Sequence, residues 1–180
     1  DWMDLEKQRG ISVSSSVISF DYHNRAMHLL DTPGHKDFSE DTYRTLTAVE
    51  SALMMIDSAK GVEDQTIKLM KVCRLRDTPI VTFMNKFDRD AMDPFELIDN
   101  VEEICNIQCV PMNWPIGDGV DFKGIYCLQT KHIIKFNKDG KSYLDHELLE
   151  ASEIDSPRLR ELLGEKNINK LIEDIEMLDG

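Results

Sequence analysis

Leu29-Leu30-Asp31-Thr32-Pro33-Gly34-His35 is the stretch on which the reading of this chain turns. Its two leucines close an apolar run, Ala26-Met27-His28-Leu29-Leu30, that predicts a buried strand. The run stops at an acid and then at Thr-Pro-Gly, which cannot continue a strand and forces the backbone to turn. Open α/β sheets bind ligands at the carboxyl ends of their strands. An acid leaving such an end can hold Mg²⁺, directly or through water, because Mg²⁺ takes hard oxygen ligands and keeps several waters. Gly34 lets a backbone amide approach a phosphate where a Cβ would obstruct it, and His35 can orient a water for attack. The same residues also fit a plainer description, a strand followed by a Pro-Gly turn with a surface histidine.

A second strand end supplies different chemistry. Ile80-Val81-Thr82-Phe83-Met84 is another continuous apolar run, and it ends in Asn85-Lys86-Phe87-Asp88. A carboxylate at Asp88 can accept both from the ring N–H and from the exocyclic amine of guanine. Adenine has an acceptor in place of that N–H and lacks the amine. The stem of Lys86 can lie along a base face while its ammonium stays wet, and the Asn85 amide can bridge loops around the base. Read alone, these four residues are equally a solvated loop. Two strand ends with the right residue types in one chain favour a nucleotide site.

Together, Asp31-Thr32-Pro33-Gly34-His35 and Asn85-Lys86-Phe87-Asp88 resemble the third and fourth conserved boxes of the translational GTPases. Glu6-Lys7-Gln8-Arg9-Gly10-Ile11-Ser12 is similar to the first switch segment of that family, with Ser12 where a threonine is usual. The runs Asp37–Val49, Lys71–Pro79 and Trp114-Pro115-Ile116-Gly117 resemble the peptide chain release factor 3 branch more than the elongation factor G branch. The resemblance is dense to about Tyr126 and thin beyond it. It implies a cytoplasmic, ribosome-dependent GTPase that uses GTP/GDP and Mg²⁺ and acts in translation termination. Its partners would be the ribosome and the codon-reading release factors, with no membrane and no sequence-specific nucleic-acid contact. By the same resemblance Ser12 and Asp31 would serve Mg²⁺, Asp31 through water. Asp31, Thr32, Pro33, Gly34 and His35 would line the phosphate side, with Gly34 on the γ-phosphate and His35 as the catalytic group orienting water. Asn85, Lys86 and Asp88 would read guanine.

Composition agrees with these expectations. Net charge is −13, from 21 basic and 34 acidic residues, which argues against a nucleic-acid coat or a membrane-surface protein. Up to Asp90 there are 12 basic and 15 acidic residues, and beyond it 9 and 19, so the acidity lies in the second half. No apolar run approaches the ~20 residues of a membrane-spanning helix. Four cysteines and nine methionines suit a reducing compartment. Cys105 and Cys109 with Cys127 and His132 are spaced unlike common zinc knuckles.

In chain order, Ile11–Phe20 predicts a serine-rich strand, and Tyr22-His23-Asn24-Arg25 turns it into the Ala26–Leu30 strand. A helix is expected from about Phe38 to Val49, a strand over Ala52–Ile56 ending at Asp57, and a helix over Val62–Arg76. The Ile80–Met84 strand follows. Asp93-Pro94 opens a helix, acid at its positive end and proline in the first turn, running to about Asn106. This alternation predicts an α/β fold with a doubly wound, mostly parallel sheet. Beyond it, Gln108–Asn113 is a candidate strand, and Trp114-Pro115 with Gly117-Asp118-Gly119 punctuates a loop. Phe122–Leu128 and His132–Phe136 are candidate strands, and Asn137–Gly140 after them is a hairpin-turn signal. Tyr143–Ala151 is ambiguous, Ser156-Pro157 opens a helix, and Ile168–Leu178 is another. The expected organisation is a GTP-binding core over residues 1–107 and the start of an inserted α+β subdomain over 108–180.

Gly-x-x-x-x-Gly-Lys-[Ser/Thr], the loop that cradles nucleotide phosphates in such proteins, does not occur in the sequence. The chain is therefore expected to be an internal piece of a GTP-binding domain without its first strand, inactive by itself and active as a GTPase in the full-length parent. The alternatives are a non-catalytic binding or structural module with no nucleotide chemistry, or the same domain of an elongation factor G-like protein.

Overall fold

Strand β1 (Ser16–Tyr22) and strand β2 (Arg25–Asp31) form an antiparallel hairpin in register from Ser16↔Asp31 to Tyr22↔Arg25. Its two-residue turn has His23 at φ 46° and Asn24 at φ 59°, both left-handed. That is the mirror-image turn whose twist matches the twist of paired strands, and asparagine tolerates it best among non-glycine residues. The computed structural model describes residues 15–32, 39–137, 146–151 and 153–179. Its contacts divide the chain into one unit formed by the chain up to Met55 with Val62–Phe83, and another formed by Ile56–Gly61 with Met84 onward.

In the first unit the hairpin carries its apolar residues outward. Met27 and Leu29 are 44% and 46% exposed, although the Ala26–Leu30 run predicts a buried strand. A two-stranded ribbon buries a face only where another layer covers it, and the hydrogen-bonded partner of β2 among the described residues is β1 alone. Helix α1 (Ser39–Leu46) packs beside helix α2 (Asp64–Leu75), which buries Met70 and Cys73. Arg76 reinforces this edge by donating to the Thr47 carbonyl at 2.9 Å.

Strand β3 (Ala52–Asp57) and strand β4 (Ile80–Asn85) lie side by side. The Ala52 amide donates to the Pro79 carbonyl and the Ser58 amide to the Asn85 carbonyl, both at 2.9 Å. Partners advancing in the same sense along both strands make the pair parallel, and α2 is its crossover. Both strands alternate, with Leu53, Met55, Val81 and Phe83 outward.

The second unit contains helix α3 (Pro94–Cys105), begun by Asp93, whose side chain accepts the Phe95 amide at 2.9 Å, and closed by left-handed Asn106. After it come β5 (Asn113–Ile116), a single 3₁₀ turn at Gly119–Asp121, β6 (Gly124–Cys127), β7 (His132–Phe136) and β8 (His146–Glu150). The four strands make an antiparallel meander in chain order. Helices α4 (Pro157–Leu163) and α5 (Glu165–Asp179) complete this C-terminal lobe. Register places Trp114, Tyr126, Ile133 and Leu149 in one row across the sheet. That row packs with Leu159, Leu163, Ile168 and Leu171 into the core, and Phe95 of α3 meets Trp114 at 4.7 Å between ring centroids.

Two local expectations shift. The strand expected over Gln108–Asn113 lies instead at Asn113–Ile116, and so includes Pro115, which the sequence marks as loop. β5 is an edge strand, where a proline need not donate to a ladder. The ambiguous Tyr143–Ala151 segment contains β8, recruited by the free edge of β7. The fold is mixed α/β, with one parallel pair and two antiparallel ladders among the described residues. No helix among them is long and apolar enough to cross a membrane.

Candidate functional site

The base-reading candidates sit on one turn at the carboxyl end of β4. Asn85 is the last strand residue, and its Oδ1 accepts the Lys86 amide at 2.9 Å. That bond supports Lys86 in a left-handed conformation, φ 70°, which costs a non-glycine residue about 1–2 kcal/mol. The Arg89 amide closes the turn on the Lys86 carbonyl at 3.0 Å. Asn85, Lys86 and Asp88 are all exposed, while Phe87 is half-buried and stacks on Phe122. An exposed carboxylate on a hydrogen-bonded turn can accept two donors at once.

The strand beside it contributes as well. Lys86 Nζ donates to Asp57 Oδ2 at 2.6 Å, and the Ala59 amide donates to Asp57 Oδ1 at 3.0 Å. The hydrogen bond from Lys86, followed by that from the Ala59 amide, holds the Asp57 carboxyl below the usual carboxylate range. Next to it Ser58 is fully buried. Its amide binds the Asn85 carbonyl, and its carbonyl accepts the Met92 amide at 2.9 Å. These bonds tie the residues after β3 to both flanks of the Asn85–Asp88 turn. Ser58 Oγ has no hydrogen-bond partner among the described residues.

Asp31 ends β2, exposed, with half-buried Thr32 after it, in the first unit. Ser12, Pro33, Gly34 and His35 lie outside the described residues. The structure therefore gathers Asn85, Lys86 and Asp88, and adds Asp57 to them. Asp57 carries the signal that singled out Asp31, an acid ending an apolar run. Gly119, whose amide bonds to this turn, lies in a Gly-Asp-Gly stretch that the sequence marks only as loop punctuation.

A parallel strand pair joined by a helix, with polar residues displayed at the carboxyl end of β4, is the arrangement of a nucleotide-binding α/β domain. The chain belongs to the family described as the elongation factor Tu GTP binding domain, whose model matches residues 1–175. This is a GTP-binding domain of the translational GTPase family. A crystal structure of a protein from Thermus thermophilus is similar in fold, with a TM-score of 0.74 over 99% of this chain at 18% identity. The chain spans 26% of the length of that protein.

Proposed function

We propose that the full-length protein is a cytoplasmic, ribosome-dependent GTPase of translation termination, which couples GTP hydrolysis to the release of codon-reading release factors. The observation that carries the guanine part is the Asn85–Asp88 turn, with the exposed Asp88 carboxylate mounted where a base can meet both its oxygens. The termination part is supported by the resemblance of Asp37–Val49, Lys71–Pro79 and Trp114–Gly117 to the release factor 3 branch. In this reading residues 1–107 are the GTP-binding core, part of a doubly wound, mostly parallel sheet that lacks its first strand. Residues 108–180 begin an inserted subdomain.

The donor set suits Mg²⁺: a hydroxyl from Ser12 and a carboxylate from Asp31 are hard oxygen ligands, and Asp31 stands exposed at a strand end. When bound, the ion neutralises charge on the phosphate oxygens. Gly34 offers its amide to the γ-phosphate, Thr32 and Pro33 shape the turn that presents it, and His35 orients the attacking water. Lys86 covers the base face, Asn85 bridges its surroundings, and Asp88 accepts from N1–H and the exocyclic amine.

His35→Ala in the full-length protein tests this reading. Nucleotide affinity should hold, while single-turnover hydrolysis on ribosomes should fall by about 10²- to 10⁴-fold. Removal of a codon-reading release factor from ribosomes that have freed their peptide should require GTP. Translocation activity in place of that removal would transfer the protein to the elongation branch.

A further inference from the structure

The base-reading turn is gripped from behind by the C-terminal lobe. Gly119 divides its one amide hydrogen between the Phe87 carbonyl at 2.8 Å and the Arg89 carbonyl at 3.1 Å. Those two carbonyls flank Asp88 in the chain, so a single donor brackets Asp88. The Phe87 ring stacks on Phe122, with centroids 6.3 Å apart and planes 25° apart, and Phe122 in turn meets Phe136 of β7 at 5.8 Å.

The bracket is itself held. Gly117, at φ 73°, admits no side chain, because a Cβ there would lie 2.4 Å from the Asp121 carbonyl oxygen. The Lys123 amide closes the loop onto Ile116 and the Phe136 amide pins Lys123 from β7, each at 2.9 Å. The loop that touches the turn is thus an extension of the lobe's sheet. Gly119, at φ 54°, keeps its amide aimed in a conformation that favours glycine.

We infer that Gly119 and Phe122 are positioning residues for the Asp88 carboxylate, so that the C-terminal lobe sets how tightly and how selectively guanine is held. The inference rests on the guanine reading of Asp88. A carboxylate that must meet two donors at once depends on its supporting shell, and a loop without one loses both affinity and discrimination.

The test uses the full-length protein with Phe122→Ala, Phe122→Tyr and Gly119→Ala. Readouts are the dissociation rate of fluorescent GDP, the preference for GDP over inosine diphosphate, and ribosome-stimulated hydrolysis at saturating GTP. Inosine diphosphate lacks the exocyclic amine, so this preference measures the second hydrogen bond to Asp88. Phe122→Ala should release GDP about tenfold faster, in keeping with the worth of an aromatic pair, and should compress the preference. Phe122→Tyr should restore both, and saturated hydrolysis should not change. Gly119→Ala should reproduce the effect and answers the question if Phe122→Ala does not fold. A lower melting temperature with an unchanged preference would make these residues merely structural and overturn the inference. Asp88→Asn measured alongside separates the two failures. If it leaves the preference between guanine and xanthine nucleotides unaltered, the guanine reading fails; if it swings that preference while Phe122→Ala and Gly119→Ala do nothing, only the positioning role fails.

Discussion

Lys86 Nζ lies 2.6 Å from Asp57 Oδ2, so the lysine of the Asn85–Asp88 turn is tied to the end of the neighbouring parallel strand. The pair is partly exposed, Lys86 more than Asp57, and so it contributes orientation more than stability. The ammonium is anchored there, and the left-handed backbone of Lys86 sets where the side chain starts.

The pair makes a pH-dependent prediction. Asp57 is held below the usual carboxylate range by Lys86, so its stabilisation is fully present above the unfolded value of about 3.9 and is lost as pH falls through the lower folded value. Asp57→Asn should be less stable than the wild type by a constant margin from pH 7 to pH 5. The margin should shrink below about pH 4. Urea denaturation at several pH values measures it, and a margin that grew on acidification would contradict the pairing.

Ser58 yields a prediction of opposite sign. Its hydroxyl is buried without a partner among the described residues, and such a group costs about 1–3 kcal/mol. Its backbone bonds to Asn85 and Met92 do not involve the side chain. Ser58→Ala should therefore leave the melting temperature unchanged or raise it, as read by thermal denaturation. A clear loss of stability would show that the hydroxyl has a role.

In the lobe core, Asp174 is 3% exposed, and its two oxygens take the Trp114 indole N–H at 2.8 Å and Lys170 at 3.3 Å. Asp174→Ala strands the indole donor and should cost about 1–3 kcal/mol in urea denaturation. Asp174→Asn keeps an acceptor and should cost less. Adding Trp114→Phe to Asp174→Ala removes the stranded donor, so the double variant should lose less than the sum of the singles.

Where a property was local, the sequence carried it. The Tyr22–Arg25 turn follows from a dipeptide that accepts two left-handed residues, and α3 from an acid and a proline at its first turn. The carboxyl end of β4 follows from an apolar run that stops at Asn85. Properties set by partners far along the chain were not legible. Pro115 sits in a strand because β6 pairs with one side of it and the other side is an edge. The exposure of Met27 and Leu29 depends on what covers the hairpin, and a hydrophobic run gives no sign of that. The Asp57–Lys86 pair and the hold of Gly119 on Phe87 and Arg89 join residues some thirty positions apart, beyond the reach of any periodicity.

Base choice by Asp88 is the claim on which the functional account depends. Asp88→Asn replaces two acceptors with one donor and one acceptor, a set that suits xanthine better than guanine. Sites built on buried hydrogen bonds reject a mismatched partner by roughly 10⁴-fold. Competition between GTP and xanthosine triphosphate for the full-length protein should therefore swing by about that factor towards the xanthine nucleotide. A variant that kept the wild-type preference for GTP would show that Asp88 does not read the base.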